Sequence, residues 1–208
     1  KYLKISNTRN RVYDVVQQVT QPEMEILDRF EIDVLDVGRM FNDREEDWYD
    51  VYLPDGSKAQ YPVWFKPVRQ DDGSYIAYSK DGEAIAKMPK GATFFDQLIF
   101  PFVDGYPADY KNLPESMSKV HWQALAHSPW DNAGDKDFWT KLREKAIELR
   151  KTSNRAIMIV CGCNLFEWGT FLRRIDNFLM DLVLCPDEVE RLLDALMEIH
   201  MATLSKVC

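Results

Sequence analysis

The sequence predicts an α/β fold, namely an incomplete (β/α)8 barrel that carries an inserted antiparallel β-meander. Two short apolar, β-branched segments, 32–38 and 155–161, each lead into a glycine, as buried parallel strands commonly do. Amphipathic helical patterns separate and follow them, and residues 47–90 change to the period of antiparallel strands. Without that stretch about 165 of the 208 residues remain, against roughly 250 for a closed barrel, so we expect only part of one.

The ends of the chain suggest a piece of a larger protein. The sequence has no initiator methionine and stops within a helical pattern, so we expect an internal part of a longer chain, or a component whose missing strands come from another chain. A small, open α/β domain is the alternative.

The first predicted segment, 1–46, holds a helix and a barrel strand. Thr20, Pro22 and Glu23 are typical of a helix start and predict a helix over 22–29, with Met24, Ile26, Leu27 and Phe30 on its apolar face. The strand 32–38 follows. Asp36 therefore lies near its carboxyl end.

The second predicted segment, 47–90, is the meander. Strands at 48–53, 59–63, 75–78 and 84–88 are separated by Pro54-Asp55-Gly56, Asp71-Asp72-Gly73 and Lys80-Asp81-Gly82, which are hairpin turn signals. Its many aromatic residues either form a binding face or pack one side of the sheet onto the body. We favour packing, the usual fate of half-buried strand aromatics.

The third predicted segment, 91–208, returns to βα barrel units. Helices are predicted at 113–127 and 135–152, the strand 155–161 comes next, and helices follow at 165–173 and 177–182. A long helix starting at Cys185-Pro186 then runs into the terminus, with Val189, Leu192, Leu193, Leu196 and Ile199 along one stripe.

Composition narrows the class of ligand and the compartment. The 26 basic and 34 acidic residues give a net charge of −8 without long blocks of one sign, which argues against nucleic acid or an acidic membrane surface as partner. No apolar run approaches the roughly 20 residues of a membrane helix, and Lys1–Lys4 does not begin a signal peptide. We expect a cytoplasmic protein with reduced thiols and a small-molecule substrate.

Common catalytic motifs are missing from the sequence. It contains no dinucleotide or P-loop glycine motif, no His-Glu-x-x-His and no Gly-x-Ser-x-Gly. Cys161-Gly162-Cys163 could give zinc two thiolates, but His121, His127 and His200 lack a ligand-like spacing to the pair. We therefore favour core packing for these thiols and assign no metal ligand.

Asp36 is the first candidate catalytic residue. A carboxylate at the carboxyl end of a barrel strand points into the mouth where such barrels perform their chemistry. The alternative is an acid that is hydrogen-bonded to the loop amides near Gly38 or paired with Arg39. Arg39 is also a candidate substrate-binding residue.

The segment 166–174 is the second candidate site, because it is rich in polar and aromatic side chains directly after a strand. Glu167 could act as acid, base or orienting group, and Arg173 and Arg174 could clamp a carboxylate or phosphate. The candidate substrate-binding aromatics are Phe166, Trp168 and Phe171. A solvated helix end, with Arg173 paired to Glu167, is the alternative.

Several motifs resemble those of the uroporphyrinogen decarboxylase (URO-D) superfamily. The motifs are Phe166-Glu167, Arg173, Asp176-Asn177-Phe178-Leu179-Met180-Asp181-Leu182, Pro186-Asp187-Glu188-Val189 and Leu192-Leu193-Asp194. The stretches 30–39 and 48–56 are similar to the divergent anaerobic branch that is related to corrinoid-dependent methyltransferases. The resemblance implies a TIM-barrel parent, of which this chain is the front-central portion.

The resemblance also implies roles for individual residues. Asp36 matches the aspartate that holds the pyrrole nitrogens in the decarboxylase, whereas Phe171 falls where that enzyme has a tyrosine. The decarboxylase's arginine-rich signature for a substrate with many carboxylates is not found, which favours methyl transfer over tetrapyrrole decarboxylation. The methyltransferases hold zinc through His-x-Cys…Cys, which this sequence lacks, so zinc ligands lie beyond Cys208 or the reaction needs no zinc.

Three functions follow from these observations. The first is methyl transfer between a small methyl donor or tetrahydrofolate and a corrinoid protein, with no covalently bound cofactor and with the remainder of the barrel as a further partner. The second is decarboxylation of uroporphyrinogen, as in heme biosynthesis. The third is a non-catalytic interaction module in which the aromatic meander binds a partner.

Overall fold

The computed structural model describes residues 9–208. The first eight residues, including Lys1–Lys4 and the beginning of the predicted segment 1–46, lie outside the described residues. Over the described part the fold is mixed α/β, with seven α-helices and several small sheets, none of which closes into a barrel. The strands are β1 (Val12–Asp14), β2 (Val19–Thr20), β3 (Val34–Asp36), β4 (Trp48–Tyr52), β5 (Lys58–Pro62), β6 (Val68–Arg69), β7 (Tyr75–Tyr78), β8 (Ala84–Met88), β9 (Asp96–Gln97) and β10 (Ala156–Met158). The helices are α1 (Met24–Arg29), α2 (Leu113–Lys119), α3 (His121–Leu125), α4 (Phe138–Thr152), α5 (Leu165–Arg173), α6 (Ile175–Leu184) and α7 (Pro186–Val207).

The chain forms two compact units that interleave along the sequence. Residues 9–96 and 126–160 make the first unit, and residues 97–125 and 161–208 make the second. The boundaries predicted from the sequence, at 46/47 and 90/91, fall elsewhere and stay predictions. β9 lies at the boundary between the units, and the candidate residues are divided between them.

The predicted parallel pairing of the two apolar segments is confirmed. In the first unit β3 pairs with β10 in parallel, with Leu35 opposite Ile157 and Asp36 opposite Met158. The strands are three residues long, shorter than predicted, and are buried on one side only: Val34 is 39% and Met158 47% exposed. Leu35 packs on the other side with Leu27 of α1 and Leu149 of α4.

Helix α1 buries less than its sequence pattern predicts. Of the predicted apolar face, Leu27 is buried, whereas Met24 and Phe30 are exposed. The helix is only six residues long, which is little more than one and a half turns. A helix of that length places few side chains on its inward face, and here Leu27 is the buried one.

The meander contains the predicted strands and turns but divides into two sheets. β4 and β5 form an antiparallel hairpin, and β6, β7 and β8 are successive antiparallel neighbours in another sheet. Gly56, Gly73 and Gly82 of the predicted turns all have φ near +80°, a conformation that glycine adopts without steric cost. Pro62 ends β5 and Pro67 directly precedes β6, so a residue without a backbone N–H stands on each side of the break between the sheets.

Packing of the meander aromatics is confirmed for three side chains. Trp48, Tyr61 and Phe65 are buried, and the Phe65 ring meets Tyr61 and Phe95 edge to face at 5.0 and 5.4 Å. Other aromatics of the segment are exposed, namely Tyr52, Trp64 and Tyr78. One face of the segment therefore belongs to the core and the other is open.

The second unit is helical. Its core consists of Phe102, Leu113, Val120, Trp168, Leu172, Phe178, Val189, Leu192 and Leu196. The single helix predicted at 113–127 is two helices, because the backbone of Val120 leaves the helical conformation (φ −111°, ψ 10°) as its side chain enters this core. The predicted stripe of α7 is confirmed: three of its residues are in the core, and Leu193 and Ile199 pack against it. Within residues 9–208, none of the helices has both the length and the apolar character needed to cross a membrane.

Candidate functional site

Asp36 ends β3 and begins the turn that follows it. Its Oδ1 accepts a hydrogen bond from the amide of Gly38 at 2.7 Å, so the side chain caps the short 3-10 helix Val37–Met40. From the sequence, Asp36 was either a catalytic carboxylate or an acid held by the loop amides near Gly38 or by Arg39. The structure shows the bond to a loop amide. The bond holds the carboxyl in a fixed orientation and leaves Oδ2 without a hydrogen bond to the described residues.

A cleft of about 240 Å³ lies beside this carboxyl, within the first unit. Its polar lining includes Tyr13, Gln21, Asp36 and Arg39, and its apolar lining includes Leu27, Ile32, Val34 and Met158. The cleft therefore lies against the parallel strand pair at the carboxyl end of β3. Asp36 and Arg39, predicted as separate site residues, both line it.

Burial controls the protonation of Asp36. Withdrawal from water raises the pKa of its carboxyl, while the Gly38 amide and the charges of His127 and Arg39 oppose the rise without cancelling it. The carboxyl therefore retains its proton to a higher pH than an exposed aspartate. A group of this kind can act as an acid toward a bound ligand.

Arg39 supplies positive charge to the same cleft. Burial lowers the pKa of its guanidinium, against the opposing charges of Glu23 and Asp36. Its only hydrogen bond to the described residues is a long one, 3.4 Å, from Nη2 to the carbonyl of Pro22. Most of its donors are therefore available to an anionic group of a ligand.

Tyr13, on β1, is a cleft residue that the sequence analysis missed. Burial raises the pKa of its hydroxyl, and the negative charges of Asp36 and Asp14 add to the effect. In the sequence, residues 12–14 show only a short strand pattern. No binding or catalytic motif around Tyr13 indicates that it lines a cleft.

Asp131 is a second half-buried carboxylate with a raised pKa, and the sequence did not single it out. Burial raises its pKa, and hydrogen bonds from the side chains of Asn42, Trp64 and Asn132, at 2.7, 3.0 and 2.6 Å, oppose that rise. The bonds from Asn42 and Trp64 tie the segment after Ala126 to the chain around the first hairpin of the meander. Because its oxygens are occupied, Asp131 has a structural role, whereas Asp36 faces a cleft.

Glu167 and Phe166 lie in the second unit, at the start of α5. Glu167 is exposed in the first turn and accepts a hydrogen bond from the side chain of Asn164. Phe166 is 50% exposed and rests its ring on Phe178 at 5.5 Å. Both side chains are accessible to a ligand of this unit.

Trp168 and Phe171 face inward from the same helix. Trp168 is 3% exposed and donates its indole N–H to the carbonyl of Gly162 at 2.6 Å. Phe171 is half-buried against it, with 6.1 Å between ring centroids. In this structure the two rings support the loop that precedes α5.

Arg173 is engaged within its own unit. Its Nε donates to Asp181 at 2.7 Å, and its Nη1 donates to the carbonyls of Phe102 and Val103 at 2.9 and 2.6 Å. The guanidinium also lies over the Tyr106 ring, 5.2 Å from its centroid. The alternative pairing with Glu167 is therefore not the one formed, and a role in substrate binding stays a prediction.

The candidate residues thus fall into two groups. Asp36 and Arg39 share a cleft in the first unit, and Phe166, Glu167, Trp168, Phe171 and Arg173 share one helix of the second. A common cavity for Asp36 and Glu167 stays a prediction.

The thiols do not form a metal site with other described residues. No disulfide joins the four cysteines, Cys161, Cys163, Cys185 and Cys208, and residues 9–208 contain no group of three or more His, Cys, Asp or Glu side chains suited to a metal ion. Burial raises the pKa of Cys161 and of Cys163, which disfavours the thiolate that zinc requires. These residues do not fit zinc.

Comparisons of the chain with protein-family models, with curated proteins and with solved structures find no match.

Proposed function

We propose that this chain is the front-central portion of an incomplete TIM barrel in a cytoplasmic URO-D-superfamily enzyme, which transfers a methyl group between a small methyl donor or folate and a corrinoid protein. The observation that carries the proposal is Asp36: a half-buried carboxyl with a raised pKa, at the carboxyl end of a parallel strand, lining a small cleft. Carboxyl ends of parallel strands are where α/β enzymes hold their reacting groups.

The chemistry requires an acid beside the atom that the methyl group leaves. The reduced corrinoid of the partner protein, a substrate in this reaction, supplies the electron pair that forms the new bond to the methyl carbon. As the old bond breaks, its electron pair stays on the donor's oxygen or nitrogen, and protonated Asp36 transfers its proton to that atom. The products are the methylated acceptor, the protonated leaving group and the Asp36 carboxylate, so atoms and charges balance.

The lining of the cleft supports a small donor with a polar end. Leu27, Val34 and Met158 offer an apolar wall for a methyl-bearing group, and Arg39 offers donors to an anionic group. Glu167, in the other unit, is proposed as an orienting carboxylate.

Decarboxylation of uroporphyrinogen is the alternative reaction. At about 240 Å³ the cleft is smaller than the roughly 300–1,000 Å³ of sites for drug-sized ligands, and a tetrapyrrole is larger than such ligands. The size of the cleft therefore favours a small methyl donor.

A non-catalytic interaction module is the third candidate, and a second cleft in the first unit supports it. About 200 Å³ of space is lined by Tyr49, Tyr52, Tyr61 and Tyr75 together with Pro54 and Pro67. Tyrosine surfaces of this kind are enriched at protein interfaces.

The experiment mixes the full chain with reduced cobalamin and with single methyl donors, namely methyltetrahydrofolate, a methylamine and a methoxylated aromatic compound. Methyl transfer is read from the change in the cobalt absorbance spectrum. We expect Asp36→Asn to slow the transfer by about 10²–10⁴-fold, as removal of a general acid does. Asp33→Asn is the matched control, because Asp33 is an exposed carboxylate in the same segment that does not line the cleft.

Three results would contradict the proposal. One is the absence of any spectral change with all donors, and another is an Asp36→Asn rate within twofold of the wild type. The third is production of coproporphyrinogen from uroporphyrinogen, which would establish the alternative reaction. If Asp36→Asn and Glu167→Gln are both silent while Tyr52→Ser abolishes binding of the corrinoid protein, the interaction module is supported instead.

A further inference from the structure

His127 has one ring nitrogen fixed by the backbone. Its Nδ1 lies 3.0 Å from the carbonyl oxygen of Ser128. Because a carbonyl can only accept a hydrogen bond, Nδ1 carries the hydrogen. Nε2 makes no hydrogen bond with the described residues, so Nδ1 is the ring atom that the backbone fixes.

The segment that carries His127 packs directly on the turn that holds Asp36. A Cβ added to Gly38 would lie 2.5 Å from the carbonyl oxygen of Ser128, so the two backbones are in close contact. The amide of Gly38 is also the donor to Asp36. The Ser128 carbonyl therefore connects the imidazole of His127 with the Asp36 turn.

Tyr13 connects the imidazole with the cleft. Its ring meets that of His127 edge to face, with 6.0 Å between centroids, and the same tyrosine lines the cleft beside Asp36. An aromatic contact of this kind limits rotation of the imidazole.

The titratable groups that face His127 are Tyr13, Asp36 and Asp131. The charge of His127 acts on both carboxyls. Asp131 already accepts three short hydrogen bonds from Asn42, Trp64 and Asn132, whereas Asp36 accepts one. Asp36 is therefore the carboxyl whose ionisation depends more on a neighbouring cation.

We propose that His127 is a positioning residue for Asp36: its imidazolium, fixed by the Ser128 carbonyl and the Tyr13 ring, stabilises the carboxylate that forms when Asp36 gives up its proton. This inference rests on the proposed function in that Asp36 is taken as the acid of the cleft. No bond to His127 forms or breaks. Its positive charge makes Asp36 a stronger acid than burial alone would allow.

The first test is a carbon-13 NMR titration of the Asp36 carboxyl in the full chain. Removal of the charge in His127→Gln should raise the pKa of Asp36 further, since a nearby opposite charge favours the ionised form. His121→Gln is the matched control, because His121 is not among the groups that act on Asp36. A pKa of Asp36 that is unchanged or lower in His127→Gln would overturn the inference.

The second test uses the wild-type chain and so does not depend on the folding of a variant. The protein has three histidines, which makes their two-bond ¹H–¹⁵N spectra simple to assign. We expect neutral His127 to carry its hydrogen on Nδ1. A neutral ring protonated on Nε2, or an even mixture of the two forms, would contradict the inference.

Neither test needs a methyl donor, so the two proposals can fail separately. If the titrations behave as expected but no donor is demethylated, His127 positions Asp36 and the proposed function is wrong. If methyl transfer depends on Asp36 but the pKa of Asp36 is the same in His127→Gln as in the wild type, the proposed function stands and the inference is wrong.

Discussion

Replacement of Gly38 by alanine tests the packing that surrounds Asp36. The glycine is buried in the turn after β3, and its backbone does not need the left-handed conformation. A Cβ at this position would meet the Ser128 carbonyl oxygen at 2.5 Å, its carbon at 2.9 Å and Asp36 Oδ1 at 3.1 Å. Two of these distances are shorter than any van der Waals contact, and backbone atoms cannot rotate away as a side chain can.

The expected cost is that of an overpacked interior. One extra carbon in a well-packed region typically lowers the free energy of unfolding by 1–3 kcal/mol, and we expect about 2 kcal/mol for Gly38→Ala. For a chain of this length that corresponds to a fall in melting temperature of about 4–8 °C. The turn must also open slightly, which lengthens the bond from the Gly38 amide to Asp36.

Urea and thermal unfolding, followed by circular dichroism, measure the effect. Gly134→Ala is the matched control: it lies in the same unit, has no atoms within 4 Å of the added Cβ and no positive φ, so its stability should stay within about 0.5 kcal/mol of the wild type or rise slightly. If Gly38→Ala is as stable as Gly134→Ala, the close contact between Gly38 and Ser128 does not exist as described.

Three further predictions concern the second unit. Gly169→Ala should destabilise it by about 2 kcal/mol in urea unfolding, because the new Cβ would lie 2.3 Å from the ring of fully buried Phe178; full stability would contradict the packing of α5 on α6. Arg173→Met should lower the free energy of unfolding by about 3 kcal/mol at pH 7, because it leaves the buried Asp181 without its cation. The double variant Arg173→Met, Asp181→Leu should recover most of that loss. Burial lowers the pKa of His200, so below pH about 6.5 the unfolded chain binds the proton more readily than the folded chain. The free energy of unfolding should therefore fall by up to about 1.4 kcal/mol for each pH unit below that value. His200→Leu should remove this contribution, and a variant with the same pH profile as the wild type would refute the prediction.

The elements with strong local signals were predictable from the sequence. The glycine-terminated apolar segments gave the parallel pair of β3 and β10, and the Asp-Gly turns gave the hairpins of the meander. Helix α5 has the predicted bounds because an amphipathic pattern is strongest in a helix of two or more turns. The strand, turn and helix signals lie between neighbours in sequence, whereas the pairing of β3 with β10 joins segments far apart and was inferred from the α/β pattern as a whole.

Features that depend on distant neighbours were not predictable. The break at Val120 is made by the core that its side chain enters, and the exposure of Val34 depends on what covers the strand pair. His127 and Tyr13 reach Asp36 from segments far away in the chain. No local sequence motif indicates that residues so far apart in the chain will lie together.

The second candidate site shows why residue type alone does not separate binding from packing. Trp168 and Arg173 follow a strand, as ligand contacts often do, but their polar atoms are bonded to Gly162 and Asp181. An indole N–H or a guanidinium binds a ligand and a backbone carbonyl with the same chemistry.

An NMR titration of the Asp36 carboxyl in the wild-type chain tests most directly whether a partly desolvated acid faces the cleft. The pKa should lie above the ordinary aspartate value of 3.8, because loss of hydration outweighs the Gly38 amide and the two neighbouring cations. A pKa at or below 3.8 would mean that Asp36 is a solvated or fully paired carboxylate, and it would contradict its role as the acid.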